Sequence, residues 1–477
     1  MNELVVVGGG PAGMAAADAA VRLGVRVTLV DSAPRLGGQI YRQSLLSPGE
    51  GGSPASSRKR SLPARFRSIE SGQVELILGA SVWSASRVPS GFTLRVNPMS
   101  GGEGKTLNAK AIVLATGASE LALPFPGWEL PGVSTAGAAQ ALLKSQGVLV
   151  GHRVLVAGSG PLLLPVAASL AHSGAKVVGV VEACSPYRDP LKFARVSAYP
   201  SKVLEALGYL RHLAIHRVPV LMGSALVRCD GEGRVQHASV ARLDKDWHPI
   251  AGSERTFEVD AVCTSFGFVP RLELCRQLGL DDSCDDIHPG ATALHDTSMA
   301  ASVPGVFVAG ELTGIAGAVV AELEGRLAGN AAASYLGRSK AARTAGDQAT
   351  TIGKLRRAMS FADLLGQIYT LQPGWMTWPN NDTLVCRCED VSWGTVRRAA
   401  ESGAMKVQAV RGLTRCGMGY CQGRTCGPAV VSLVAALTGA RLSQVGDLDS
   451  RPVMMPVALG EVAKVDELRD PEAPPEG

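Results

Sequence analysis

Five of the chain's ten cysteines lie within 41 residues: Cys386 and Cys388 as a C-x-C pair, then Cys416, Cys421 and Cys426 in CGMGYCQGRTC. Clustered thiols are what soft metals bind, as thiolates. Structural zinc sites favour C-x₂₋₄-C knuckles, and C-x-C is too tight for that turn. Iron–sulfur centres take four cysteines at spacings that vary. Five candidates for four places leave the ligand set open on spacing alone. An iron–sulfur centre, zinc and no metal at all are the three readings. WGTVRRAAESG and AMKVQAVRGL between the pairs read as helices, and GPAVVSLVAALTG after Cys426 as a third. Pro428 suits a first helical turn. Cys426 then falls at a helix N-terminus, where the macrodipole favours thiolate.

A second kind of chemistry is written in glycines. LVVV (4–7) reads as a buried strand, followed by Gly8-x-Gly10-x-x-Gly13, a small-residue helix MAAADAAVRLG, and a strand VRVTLVD ending at Asp31. In such a βαβ unit the first glycine makes the tight turn and the second admits a pyrophosphate. The third lets helix and strand touch, and the acid takes the ribose hydroxyls. The helix N-terminus faces the phosphate. NAD and FAD both fit this unit.

HRVLVAGSGPLLLPVAASLAHSGAKVVGVVEA (152–183) repeats the plan in degenerate form. Gly158 and Gly160 are present, but the third glycine position is Leu163, and Pro165 follows inside the helix start. Leucine there is expected to push helix from strand or to crowd the phosphate path. Glu182 ends the second strand and would favour NAD over NADP.

The elements that position these residues must come from two or three domains, given 477 residues. Glycine and proline together number 84, and aromatics make up 5%. A net charge of +5 and scarce aromatics argue against a nucleic-acid surface. The basic run Arg58-Lys59-Arg60 reads as a solvated loop. No apolar run reaches the length of a membrane span. No signal-peptide pattern precedes the first strand. Both features predict a cytoplasmic protein. Cys184, Cys229, Cys263, Cys275 and Cys284 are expected to be buried thiols. His212 and His216 read as surface or half-buried histidines. The apolar and aromatic stretch 361–379 reads as core in preference to a docking face. No G-x-S-x-G or H-E-x-x-H occurs, and no catalytic base stands out.

Three further stretches carry a resemblance. PRLGGQ (34–39), AIVLATGA (111–118) and VFVAGELTG (306–314) resemble the two-dinucleotide-binding-domain flavoproteins. The resemblance implies an α/β fold: an FAD Rossmann-like domain (1–120 and 285–340) with an inserted degenerate NAD(P)-type domain (121–284). It implies that Gly8, Gly10, Pro11, Ala12, Gly13, Asp31, Gly38, Gln39, Thr116, Gly117, Gly310 and Glu311 hold FAD. Glu311 stands where that superfamily usually has Asp. The redox cysteine pair of its disulfide reductases is missing, since 37–45 reads GGQIYRQSL and Cys184 stands alone.

The cysteine layout resembles the bacterioferritin-associated-ferredoxin type of [2Fe–2S] domain, with C-x-C, about thirty residues of helices, then a second pair. Between Cys388 and Cys421 lie 32 residues, against 27 to Cys416. The resemblance implies Cys386, Cys388, Cys421 and Cys426 as ligands, with Cys416 a neighbouring thiol or alternate ligand. This small helical domain is expected at 381–445, after a helical linker (341–380) and before a C-terminal tail (446–477).

The whole order resembles the FAD-binding α subunits of heteromeric dye-linked amino-acid dehydrogenases, including those of opine oxidase, hydrogen cyanide synthase and the hydroxyproline and proline dehydrogenases. That family implies an electron-transfer subunit serving a substrate-oxidising flavoprotein β subunit, with a small [2Fe–2S] γ subunit in some assemblies. The alternative is a stand-alone NADH-dependent flavin reductase. A zinc-stapled scaffold without electron transfer is the third reading.

Overall fold

A computed structural model describes residues 2–45, 62–66, 69, 72–187, 189–285, 290–338, 341–448 and 455–463. The Arg58-Lys59-Arg60 run lies outside the described residues. The chain opens with β1 (Asn2–Val7), α1 (Pro11–Arg22) and β2 (Val27–Asp31), then β3 (Val74–Leu78), β4 (Ala80–Val88), β5 (Gly91–Pro98) and β6 (Lys105–Leu114). These strands form one sheet in the order β3-β2-β1-β6-β5-β4. β6 runs parallel to β1 along its C-terminal half and antiparallel to β5 along its N-terminal half. Strand β1 is buried on both faces because α1 covers one side and the β4–β5 ribbon lies against the other. A continuous apolar run is what such a position requires.

The connector strand β7 (Ala118–Glu120) leaves this domain. The inserted domain contains β8 (Val133–Thr135), α2 (Ala136–Gln146), β9 (Arg153–Gly158), α3 (Leu163–His172) and β10 (Lys176–Glu182). It continues with α4 (Pro190–Arg195), α5 (Pro200–Ile215) and β11 (Val220–Met222). β12 (Ser224–Asp230), β13 (His237–Arg242) and β14 (Arg255–Glu258) form an antiparallel three-stranded sheet. β15 (Ala261–Ser265) completes the parallel sheet β11-β10-β9-β15-β8. The period-two alternation of strands splits its residues: Val154, Val156, Val180 and Cys263 face the helices, while Leu155, Ala157, Val181 and Val262 join a different core.

β16 (Phe268–Pro270) pairs antiparallel with β7, so two short strands carry both crossings between the domains. α6 (Glu273–Gln277), β17 (Asp282–Cys284) and β18 (Ala291–Ala293) follow, with Leu272, Leu274 and Ala291 in the core of the first domain. β19 (Val306–Val308) then adds to β6, and α7 (Ala318–Tyr335) packs on α1. The α1–α7 contact is built on small residues. A Cβ on Gly325 would overlap the carbonyl of Ala12, and one on Gly329 that of Ala16.

The last part holds α8 (Ala341–Ile368), the hairpin β20 (Leu384–Cys386) and β21 (Val391–Ser392), then α9 (Trp393–Glu401), α10 (Val407–Thr414) and α11 (Gly427–Thr438). The aromatic stretch predicted as core is core: Trp375 and Trp378 are buried, Trp375 edge-on to Trp393 and Trp378 stacked on Trp247. Among the described residues no helix is long and apolar enough to cross a membrane.

Candidate functional site: a glycine cradle and a pocket of thiols

Gly10 caps α1 and Pro11 opens it, so the chain enters the helix without spending a useful N–H. Gly8 has φ +110°, and a Cβ there would overlap the carbonyl of Ala115. A Cβ on Gly13 would overlap the carbonyl of Gly8. Gly10 has only the Gly38 Cα near its missing side chain, at 3.9 Å. The two glycines bound a backbone-lined notch that side chains would fill. Asp31 accepts N–H bonds from Gly9 and from Ala33, the latter 2.6 Å. Burial raises its carboxyl pKa, and Arg42 nearby opposes that. The Arg42 Nε is buried without a partner, while its terminal nitrogen donates to Gln39 Oε1 at 2.8 Å.

The late motif closes the other side. Gly310, at φ +78°, donates its N–H to Glu324 Oε2 at 2.8 Å. Glu311 accepts the N–H of Gly317, the residue capping α7, at 3.0 Å. Burial pushes both Glu311 and Glu324 up to about 7, and the charge of Glu324 adds to the rise at Glu311. Thr116 donates its hydroxyl to the Arg271 carbonyl at 3.0 Å, beside Gly117 at φ +75°. The residues therefore fit a dinucleotide: a notch only glycines leave open, an acid at the ribose position, and an orphaned buried guanidinium nitrogen beside it. Sequence reasoning missed Arg42 and Glu324. Arg42's one signal was its place just after GGQIY; Glu324 lay in no motif.

The second cradle differs. Gly158 and Gly160 take φ +145° and +126°. However, the helix starts five residues after the first glycine (Leu163 after Gly158), where α1 starts three after its own (Pro11 after Gly8). Leu163 is buried under that helix, and Pro165 sits in the first turn.

All five clustered cysteines converge. The Sγ atoms of Cys386, Cys416 and Cys426 lie within 4.8 Å of one another, all buried. Cys421, half-buried, hydrogen-bonds Cys426 and contacts Cys388, which is exposed. The thiols of Cys416 and Cys426, with the N–H groups of Gly417 and Glu389, draw Cys386 down to about 2. Cys426 and the N–H groups of Thr425 and Gly423 draw Cys421 down to about 4. Cys416 and Cys426 are pushed up by the same sulfur contacts and by burial. Backbone bends make this possible: Asp390, Arg415 and Gln422 have φ of 49°, 64° and 52°, and a Cβ on Gly419 would overlap Cys388. Left-handed non-glycine residues concentrated at one site are a mark of function. An all-sulfur donor set ringed by N–H donors fits a soft metal centre, whose sulfurs such N–H groups stabilise.

The pocket is tied to the first cradle. Arg424, between Cys421 and Cys426, ion-pairs with buried Glu273. Arg271 lies 3.8 Å from the same carboxylate and holds Thr116 through its carbonyl. On the other side Trp128 donates its indole N–H to the Leu384 carbonyl at 2.6 Å, and Arg387 lies over its ring at 5.1 Å. Among the described residues the other group close enough to share an ion is Asp244, Asp246 and His248. There Asp244 is occupied by the N–H groups of its own turn. His212 and His216 lie with ring centroids 4.5 Å apart, tilted by 48°, and are not in either group.

Comparison with known proteins agrees with both halves. Residues 2–333 match the family described as pyridine nucleotide-disulphide oxidoreductase, and residues 384–436 that of the BFD-like [2Fe-2S] binding domain. Hydrogen cyanide synthase subunit HcnB of Pseudomonas aeruginosa is 33% identical over 88% of this chain and 90% of that protein. The A-type subunit of opine oxidase from Agrobacterium tumefaciens is 32% identical over 97% of this chain and 91% of that protein. The solved structure of L-proline dehydrogenase from P. horikoshii superposes with a TM-score of 0.67 over 97% of this chain and 79% of that one. At 20% identity that likeness speaks for the fold.

Proposed function

This chain belongs to the pyridine nucleotide-disulphide oxidoreductase family and carries a BFD-like [2Fe-2S] binding domain, and from that premise we propose that it is the electron-transfer subunit of a heteromeric dehydrogenase. FAD in the first cradle and a [2Fe–2S] centre in the thiol pocket are its cofactors. The substrate is an amino acid or opine, oxidised at its C–N bond largely on a partner flavoprotein β subunit. A small [2Fe–2S] γ subunit is a further partner in this reading. The support from relatives is that two of them, at 33% and 32% identity, are named as subunits, one of a hydrogen cyanide synthase and one of an opine oxidase.

The observation that carries the reading is the tie between the two sites. Arg424 in the thiol loop, Glu273 and Arg271 lead to Thr116 in the cradle within one set of contacts. No cysteine lies at 37–45 to take electrons from a flavin as a disulfide. Flavin, when bound, converts two-electron to one-electron transfer, and the cluster carries single electrons. Gly8 makes the turn, Gly13 lets helix meet strand, and Gly10 and Gly38 would admit the pyrophosphate, while Asp31 would take ribose hydroxyls and Glu311 the ribityl side. Pro11, Ala12, Gln39, Thr116, Gly117 and Gly310 line the same cradle. The N–H groups of Gly417, Glu389, Thr425 and Gly423 stabilise ligand sulfurs.

Cys386, Cys388, Cys421 and Cys426 are the proposed ligands. Burial favours a second set in which Cys416 replaces Cys388, because Cys416 lies in the buried triad and Cys388 is exposed. Cys388→Ser should lose iron and the cluster's visible absorption and keep flavin; Cys416→Ser should keep both. The reverse pattern establishes the second set. Iron and sulfide absent from the anaerobically purified wild type would sink the electron-transfer reading.

A further inference from the structure

The two cradles give an internal standard for each other. Asp31 ends β2 and Glu182 ends β10, and their carboxylates make matching bonds. Each accepts one N–H from its glycine turn, Gly9 or Gly160, and one from two residues downstream, Ala33 or Cys184. They differ in cover. Asp31 keeps contact with solvent, whereas Glu182 is 6% exposed, and burial pushes its carboxyl up to about 8.

The cover comes from the chain's own linker. The Cys184 thiol donates to the Ile368 carbonyl at 3.2 Å. Tyr369 follows Ile368 directly, and its hydroxyl pKa is raised by burial and by the charges of Glu182 and Cys184. Tyr369 and Leu371 pack on the core that contains Ala183 and Cys184. Upstream, Gln367 accepts from Arg195 at 3.3 Å, and Phe361 lies against Tyr199 at 4.8 Å. The C-terminal end of α8 is thus fastened across the loop that follows β10. In a dinucleotide-binding unit that is where the adenosine ribose meets the acid.

We propose that Ile368–Leu371 is a strap that fills the adenosine corner of the second cradle and bars NADH from this chain. Beside Gly160 a Cβ would meet nothing within 4 Å, so the strap does not reach the second glycine of the turn. Closure is therefore local to the ribose acid, and Tyr369 is the residue that sets it. The inference deepens the reading above and rests on it for the flavin being the electron centre.

The test is calorimetric titration of the full chain with NADH, with flavin absorbance followed anaerobically in parallel. Wild type and Tyr369→Phe, which keeps the ring, should show no NADH binding at millimolar ligand. Tyr369→Ala should gain affinity on the order of tenfold or more, and Glu182→Gln in that background should remove the gain. Wild-type binding without flavin bleaching would overturn the strap and leave the electron-transfer reading intact. Wild-type binding with rapid bleaching would overturn both. A folded Tyr369→Ala that gains nothing would also overturn the strap and place the bar at Leu163. Should Tyr369→Ala not fold, Tyr369→Ser with Ile368→Ala serves as the opened form and is judged by the same two outcomes.

Discussion

At the scale of single residues, the groups that bind and those that tune are unequally visible in sequence. The cysteines and glycines announce themselves by type and spacing. Glu324 and Arg42 do not, because their roles come from burial against residues far away in the chain. Cys416 shows the limit of spacing: 27 residues from Cys388 disfavoured it, yet it lies buried among the thiols. The buried carboxyls have a measurable consequence. Glu311 and Glu324 sit at about 7 in the folded chain against 4.5 ordinarily. The folded state holds protons that the unfolded state releases, so their contribution is full below pH 4.5 and is lost as pH rises through 7. Each group then accounts for on the order of 3 kcal/mol at most. Urea midpoints should fall from pH 5 to pH 8, and Glu311→Gln should flatten part of that slope. A wild-type midpoint that rises over this range would contradict the assigned burial.

At the scale of elements, helix and strand periods were legible, and so were the small residues of MAAADAA. What α1 packs against was not, because α7 is some three hundred residues away. The two helices meet where Gly325 and Gly329 lie on the carbonyls of Ala12 and Ala16. Ala12 belongs to the turn proposed to bind phosphate, so the seam and the proposed cradle share backbone. Gly325→Val should destabilise by about 1–3 kcal/mol or more through overpacking. It should also lower the flavin-to-protein absorbance ratio of the purified chain. Loss of stability with full flavin content would separate the seam from the cradle. Gly10→Val probes the notch directly and should abolish flavin binding with little loss of stability, since little lies near its Cβ; stoichiometric flavin in that variant would refute the site.

At the scale of the molecule, sequence order predicted one domain inserted into another and a thiol domain after both, but not that the inserted and thiol domains share an interior. One apolar core runs from Leu121 and Trp128 through Leu226, Trp247 and Val262 to Trp375, Trp393, Val430 and Leu448. Such contacts join residues more than two hundred positions apart, and nothing in local pattern reports them. Trp128 is the pin, through its bond to Leu384 and its face to Arg387. Trp128→Ala should cost about 3–5 kcal/mol and split a single calorimetric unfolding transition into two, with the thiol domain melting first. One undivided transition in the variant would show that the domains are joined elsewhere.

That common interior constrains inheritance. A gene fragment carrying the thiol domain alone would bring Trp375, Trp378 and Trp393 without the sheet that covers them. A fragment carrying the inserted domain alone would expose Trp128 and Trp247. Recombination that cuts between them should leave each piece with uncovered tryptophans, which favours exchanging the pair as one block. The second nucleotide fold thus serves as masonry for the thiol domain, a structural duty independent of any ligand.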